Sequence, residues 1–469
     1  MEKVTTEMIR IWVYLHQNEI IKDIEKLVRI PSISVGDISA NNMDAPFGEN
    51  CRCVLETMKQ IAQSYHMTAR IEDNILCKVF YKEESIAPKL GLWAHLDVVN
   101  EGIGWHYPPF QITRKDSFLI GRGVQDNKSP ALGLLYAMRC LKELEYELPY
   151  SCVACYGSSE ENGMLDLDLW TRQHQAPEWN LVADCGFPVC YGEKGRLELT
   201  FAFSTEGMPH ILNIYAGEDI NSIPDTAWVS YLSNSGNFTI EAKGKSTHII
   251  AAKQGENAIY NLCTKIGKGH LPWTRKELDF WKFLQLLSED NYGYSAGIAC
   301  EDRISGKLAG TVTWLRMAEG KILAAVDYRY PIQKQDGNWE DAAELIYKLT
   351  NLAESFGGSI HSTHNSKPVY QDKNSPFVRT LLDTYHHYTG SQTEPYVMSG
   401  STYARRLPNA VGFGMSLENK KIYHYNNTAA GGDYHEPDES ICIEDIFEGI
   451  IIYCLALMNL GDFFVGKPE

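Results

Sequence analysis

Residues 89–99 read Lys-Leu-Gly-Leu-Trp-Ala-His-Leu-Asp-Val-Val. The run Lys89–Trp93 is short and apolar, which predicts a buried strand aimed at His95. Ser151–Gly157 and Leu181–Ala183 repeat the pattern of a short apolar strand. Between the first two, Pro130–Leu144 spaces Leu132, Leu135, Met138 and Leu141 as one face of a helix. Upstream, Glu19–Ile30 and Cys51–Tyr65 carry helical spacing, and Pro31 closes the former. Ala69–Tyr81 alternates like a pair of strands. Strands alternating with helices predict a mostly parallel sheet flanked by helices.

Beyond Gly195 the texture changes. Arg196–Ser204, Asn237–Ala242 and Lys321–Tyr330 alternate apolar with polar residues, the pattern of an antiparallel sheet with one wet face. Helices are expected at Asn257–Ile266 and Trp339–Phe356, and a turn region at Ser366–Asp372. A helix resumes at Ser375–Thr389 and another closes the chain at Ile443–Met458. The expected architecture is an α/β domain built from residues 1–192 and 371–469, interrupted by an inserted α+β domain at 193–370.

The 469 residues exceed one ordinary core. A balance of 43 basic against 60 acidic residues gives a net charge of −17, which argues against a nucleic-acid partner. Glu2, Glu7 and Arg10 interrupt the N-terminal apolar residues, so no signal-peptide core is read there. The apolar stretch Ile450–Met458 is too short to span a bilayer, so no membrane partner is expected. A cytoplasmic protein is the expectation. The twelve cysteines are irregularly spaced, which fits reduced thiols. Cys152 and Cys155 have the spacing of a metal or redox pair, but on a strand they point to opposite faces and read as core.

Five stretches carry acidic or histidine residues where α/β enzymes place active sites. They are Ala94–Asp97, Gly123–Lys128, Ser159–Gly163, Ala183–Gly186 and His435–Glu439. Each offers an imidazole or carboxylate able to bind a hard or borderline metal ion. A strand that ends in His95-Leu96-Asp97 is costly without a partner for its buried carboxylate. A metal provides one, and Asp97 can accept the second imidazole N–H of His95.

Taken in order, these stretches resemble the dinuclear-metal peptidase family of aminoacylases, desuccinylases, carnosinases and PepV-like (Sapep-like) bacterial dipeptidases. Further matches are Gly91–Val99 (GLWAHLDVV), Gly104–Phe110 (GWHYPPF), Gly121–Pro130 (GRGVQDNKSP), Gly192–Gly195 (GEKG), Asp327–Pro331 (DYRYP) and Ser399–Arg405 (SGSTYAR). The last three point to the PepV-like branch. The resemblance implies that His95 and Asp184 bind one ion, Glu161 and His435 a second, and that Asp126 bridges them. It implies Glu160 as general base and Asp97 as the residue orienting His95. Glu160 would take a proton from a water held between the metals as it attacks the amide carbon. From the inserted domain, His248 would meet the developing oxyanion, in a motif whose usual small following residue is replaced by Ile249-Ile250. Asn221 resembles an oxyanion-site residue, and equally an Asn that opens a turn. Arg329 is either a clamp for a substrate carboxylate or a strand-end salt-bridge partner. Thr402 would complete the carboxylate pocket. Asn127 stands where a second aspartate is usual in the family.

The function so implied is metal-dependent hydrolysis of dipeptides or short peptides. The ions implied are two divalent metals, zinc first, with manganese or cobalt as alternatives. A long inserted domain predicts a competent monomer, with a dimer as the other possibility. The rival readings are an N-acyl-amino-acid deacylase using the same site and a non-catalytic metal- or peptide-binding protein.

Overall fold

The structure, a computed structural model, describes residues 4–35, 44–82, 87–269, 271–333, 342–417, 423–424 and 432–466. The chain divides into two compact units. Unit 1 is Met1–Tyr191, Gln371–Tyr396 and Ser401–Glu469, and unit 2 is Gly192–Tyr370 with Val397–Gly400.

The centre of unit 1 is the strand Leu90–His95, buried along its whole length. It pairs in parallel with Cys152–Gly157 on one side and Trp179–Val182 on the other. Ala410–Gly412 then adds in parallel beside Trp179–Val182. Thr68–Glu72 and Leu76–Phe80 extend the opposite edge as an antiparallel pair. A strand sandwiched on both faces must be apolar throughout, which explains why Lys89–Trp93 reads as a run rather than an alternation. Helix Lys128–Glu143 begins directly after Asp126-Asn127, and residues 128–141 are all buried. Parallel strands share one carboxyl edge, so His95, the turn after Gly157 and the loop after Val182 emerge together.

Helix Ile443–Val465 packs on Lys128–Glu143 and on Pro376–Thr389. It continues past the expected end at Met458 for another two turns. It is long and apolar enough to cross a membrane by length and composition, and 67% of its most apolar window is buried in the fold. The uninterrupted run Ile450–Met458 is shorter than this helix because Glu448, Asn459 and Asp462 break the apolar sequence without breaking the helix. Thr6–Leu15 forms an N-terminal helix beyond those expected; Thr5 caps it by accepting the Met8 N–H.

Unit 2 is built on a seven-stranded sheet in the order Gly236–Lys243, Thr226–Ser233, Ile211–Ala216, Ala309–Ala318, Lys321–Tyr330, Gly195–Ser204, Ser359–Ser366. The pairings are antiparallel. Leu197, Leu199, Phe201 and Phe203 point into the core, where they meet Phe280 and Phe283 of helix Arg275–Ser288 and Ile259 and Leu262 of helix Ala258–Lys268. The expected helix Trp339–Phe356 is described from Ala343 to Ser355; its residues 339–341 lie outside the described residues. The expected turn region Ser366–Asp372 instead contains a short strand, Val369–Tyr370. All twelve cysteines are free thiols, and Cys152 and Cys155 are buried on their strand.

Candidate metal and catalytic site

His95 is the last residue of the central strand and is 1% exposed. Its Nδ1–H donates to the carbonyl oxygen of Asp97 at 3.0 Å. That bond occupies Nδ1 and turns Nε2 toward Asp126 Oδ1 at 2.9 Å and Asp184 Oδ2 at 3.8 Å. The expected partner, the Asp97 carboxylate, lies farther away at 3.5 Å. His95 is therefore oriented chiefly by the main chain of Asp97.

The Asp97 carboxylate does something else. Its two oxygens accept the backbone N–H groups of Glu160 and Glu161, each at 3.0 Å. A buried carboxylate needs such partners, and two adjacent amides in a turn supply them without a counter-charge. Asp166 grips the same turn, accepting the N–H groups of Ser158 at 2.7 Å and Ser159 at 2.8 Å. The Tyr403 hydroxyl also donates to Asp166. The turn after Cys152–Gly157 is thus held by two aspartates from different parts of the chain.

Asp126 stands between the histidines. Its Oδ1 faces His95 Nε2, and its Oδ2 faces His435 Nε2 at 3.2 Å. His435 Nε2 is also 3.1 Å from Glu161 Oε1. Possible ligand atoms fall into two groups within 4.8 Å, one of His95, Glu160 and Asp184 and the other of His95, Asp126 and Glu161. His435 belongs with the second set by its contacts to Asp126 and Glu161. Glu160 falls inside the first, so its carboxylate has the reach of a ligand as well as of a base.

The electrostatics match a cation-binding cluster. Burial pushes the Glu160 carboxyl well above the usual range; His95 opposes this, and Asp184, Glu161 and Asp97 add to it. Burial also raises Glu161 and Asp184, with Asp126 reinforcing both. Asp126 moves the other way, because hydrogen bonds from His435 and His95 outweigh its burial. Burial works against a charged His435, yet Glu161 and Asp126 push it up to about 12. Glu160 Oε1 is buried with no hydrogen-bond partner among the described residues. Four acidic side chains share two imidazoles, and one carboxylate oxygen is left unsatisfied. Divalent cations fit that donor set of imidazole and carboxylate.

Three residues without an assigned role hold this arrangement. Asn127 Nδ2 donates to Asp184 Oδ1 at 3.0 Å and to the Ala183 carbonyl at 2.7 Å. An aspartate there would set a second carboxylate against Asp184, so the amide suits this chain. Asp166 and Glu439 are the others, both buried acids, the first in the short helix Leu165–Trp170 and the second at the end of the His435 loop. Asp166 carries a signal in the sequence, an acid between Leu165 and Leu167, whereas Glu439, between Asp438 and Ser440, carries none, and the partners of both are legible only in three dimensions.

In unit 2, Asn221 and His248 come together. Ser222–Ile223 pairs with Thr247–His248, with Ser222 opposite His248, and the Ile249 N–H donates to the Asn221 carbonyl at 2.9 Å. Ile249, the bulky residue after His248, packs with Ile223 and Ala252 and anchors the ribbon. Arg329 is 4% exposed. Its Nε and Nη2 donate to the two Asp327 oxygens at 3.0 Å, and Nη1 donates to the Ser399 carbonyl at 3.0 Å. These contacts describe a buried salt-bridge partner, one of its two expected roles. Thr402, in unit 1, is buried and caps a helical turn by accepting the Ala404 N–H at 3.2 Å.

Comparison with known proteins adds three likenesses. A protein of Staphylococcus epidermidis named "Putative dipeptidase" is 28% identical over 92% of this chain and 98% of its own length. The structure of the di-peptidase Dug1p from Saccharomyces cerevisiae superposes with a TM-score of 0.62 at 11% identity, covering 99% of both chains. Human carnosine dipeptidase 1 does so with a TM-score of 0.58 at 13% identity, covering 98% of this chain and 100% of that one. These two structures share its fold. The profile of Peptidase family M20/M25/M40 matches residues 91–459, a span that contains all the converging acids and histidines, and the chain is a metallopeptidase belonging to that family.

Proposed function

We propose that the chain cleaves dipeptides, with two divalent ions held by side chains of unit 1. His95 and Asp184 would hold one ion, Glu161 and His435 the other, and Asp126 both. Bound there, the ions would supply a nucleophilic water and polarise the scissile carbonyl. Glu160 would accept the proton of that water and return it to the departing amine. Its raised proton affinity suits a group that must hold a proton between those two moments. Asp97 holds the Glu160 N–H and Asp166 that of Ser159 just before it, which limits reorganisation of the turn during the step.

Residues 1–192 and 371–469 form the catalytic domain in this reading, and 193–370 the lid. His248 and Asn221 are the lid groups proposed to meet the oxyanion, and Thr402 a group proposed to meet the substrate carboxylate. Zinc is the proposed ion, with manganese or cobalt as substitutes, in a cytoplasmic monomer. The observation that carries the proposal is Asp126, whose two oxygens face two different imidazoles while Glu160 Oε1 lies buried with no hydrogen-bond partner among the described residues. The dipeptidase names of the 28%-identical relative and its kin support the substrate class.

The test strips the chain of metal, reloads it separately with Zn²⁺, Mn²⁺ or Co²⁺, and follows free amino acids released from a dipeptide panel. Acetylated amino acids, a tripeptide and Glu160→Ala run alongside. Release from dipeptides that returns only with metal and is absent in Glu160→Ala supports the proposal. Turnover confined to acetylated substrates replaces it with the deacylase reading. No turnover with two ions bound overturns it.

A further inference from the structure

Glu439 is fully buried at the end of the loop that carries His435. Its carboxylate accepts four hydrogen bonds from one short stretch. Oε1 takes the N–H groups of Gln125 at 2.9 Å and Asp126 at 3.0 Å. Oε2 takes the Gly123 N–H at 2.9 Å and Arg122 Nη1 at 2.8 Å. The Glu439 carbonyl also accepts the Gly121 N–H at 2.9 Å. Arg122 then reaches onward through Nη2 to the carbonyls of Asn100 at 3.3 Å, Glu101 at 3.1 Å and His435 at 3.4 Å. One buried ion pair therefore ties together the segment after His95, the segment bearing Asp126 and the loop bearing His435.

The loop on the other side of the tie is itself under constraint. His435 and Asp438 both sit at positive φ, 63° and 56°. Such backbone persists in non-glycine residues where surrounding contacts over-determine it. The contacts are present: Asp438 accepts the His106 N–H at 2.9 Å, and Gly432 N–H donates to the Pro437 carbonyl at 2.8 Å. The four donors to Glu439 match an ionised carboxylate, which offers acceptor sites on both oxygens and no donor. A glutamine is nearly the same size, yet its NH₂ would turn a donor toward Gly123 N–H and Arg122, or toward Gln125 and Asp126.

We infer that Glu439 is a positioning residue for the metal centre: it fixes the backbone of Asp126 so that this carboxylate faces both His95 and His435 before any ion arrives. The inference rests on the two-ion reading above. Glu439 touches neither ion nor substrate and acts through Asp126, with Arg122 coupling the same tie to the loop of His435.

Full-length apo protein is titrated with Co²⁺ by calorimetry and visible absorption, wild type against Glu439→Gln. Both ions are expected to bind about 10–100-fold more weakly to the variant, as when partners behind metal ligands are lost, with an altered d–d spectrum at matched thermal midpoint. Binding of both ions within about threefold of wild type overturns the inference, because that range lies below the loss such partners cause. A second measurement uses wild type alone, so it stands even if the variant fails to fold. Hydrogen exchange at the amides of Gly123, Gln125 and Asp126 is followed without metal. Slow exchange in the apo chain supports a tie that precedes the ions, and fast exchange that slows only on loading overturns it. A wild type that binds fewer than two Co²⁺ overturns the two-ion reading, and the exchange result then judges the tie separately.

Discussion

The carboxylate of Asp97 holds Glu160 by its main chain: Oδ1 accepts the Glu160 N–H at 3.0 Å while Oδ2 accepts that of Glu161. Two side chains proposed for different tasks are thus set from one anchor, itself two residues beyond His95. Asp97→Asn turns a donor toward one of those amides. We expect kcat for dipeptides to fall about 10–100-fold with KM little changed, since the damage is to placement rather than to substrate contact. Steady-state kinetics at fixed metal content check this, and an unchanged kcat would remove Asp97 from the catalytic account.

The ribbon that presents His248 beside Asn221 makes a separable prediction. His248→Ala should lower kcat about 10²–10³-fold, the loss typical of one oxyanion donor, and leave Co²⁺ titration of unit 1 unaltered. A fall in metal affinity instead would mean that His248 acts on the metal centre.

Arg329 is tied at Nε and Nη2 to Asp327 and at Nη1 to Ser399. Arg329→Ala leaves buried Asp327 with Arg196 as its one cationic partner among the described residues, and should cost about 3–5 kcal/mol of stability, as when one partner of a buried pair is lost. The thermal midpoint measures it. KM for a dipeptide is compared with KM for its C-terminal amide, and the ratio should stay at the wild-type value. A ratio that collapses toward one while stability is kept would restore the carboxylate clamp.

Glu72 gives a pH-dependent outcome away from the site. It is buried, and burial disfavours its charge, but Trp170 Nε1 at 2.7 Å, Lys78 and Arg70 together bring its carboxyl below the ordinary value. A folded-state pKa below the unfolded one contributes stability that is present above about 4.3 and lost as pH falls through the lower folded value. Glu72→Gln should therefore destabilise the protein at pH near 7 and converge with wild type in acid. Thermal midpoints across that range decide it; a gap that persists in acid would mean that packing, not charge, is what Glu72 supplies.

Much of unit 1 was legible because its strands are buried on both faces and its site residues follow strand ends. Leu90–His95, Cys152–Gly157 and Trp179–Val182 read as apolar runs for that reason. In unit 2 the alternation reveals three of the sheet's seven strands, and two of the other four escape it for a specific cause. Ile211–Ala216 carries an irregularity between Ile211 and Asn213, and Ala309–Ala318 another between Val312 and Trp314. Each breaks the two-residue period on which recognition depends. Helix Arg275–Ser288 was announced by its capping box, Thr274 with Glu277, a signal present in the sequence but passed over. The acids and histidines were readable one by one. What joins them was not: Asp97 to the amides of Glu160 and Glu161, Asn127 to Asp184, and Glu439 to an amide 313 residues away are pairings that no local pattern encodes.

The division of unit 1 around unit 2 bears on how the chain is made. A ribosome delivers His95, Asp126, Glu160, Glu161 and Asp184 early, then must finish all of Gly192–Tyr370 before His435 and Glu439 appear. At ordinary elongation rates that interval is on the order of tens of seconds. Throughout it the nascent chain exposes an acidic half-site lacking its second imidazole, its tie to Arg122 and the helix Ile443–Val465. On the two-ion reading, a product cut short inside that interval would lack the second imidazole, so hydrolytic power would arrive only once the His435 loop has been made.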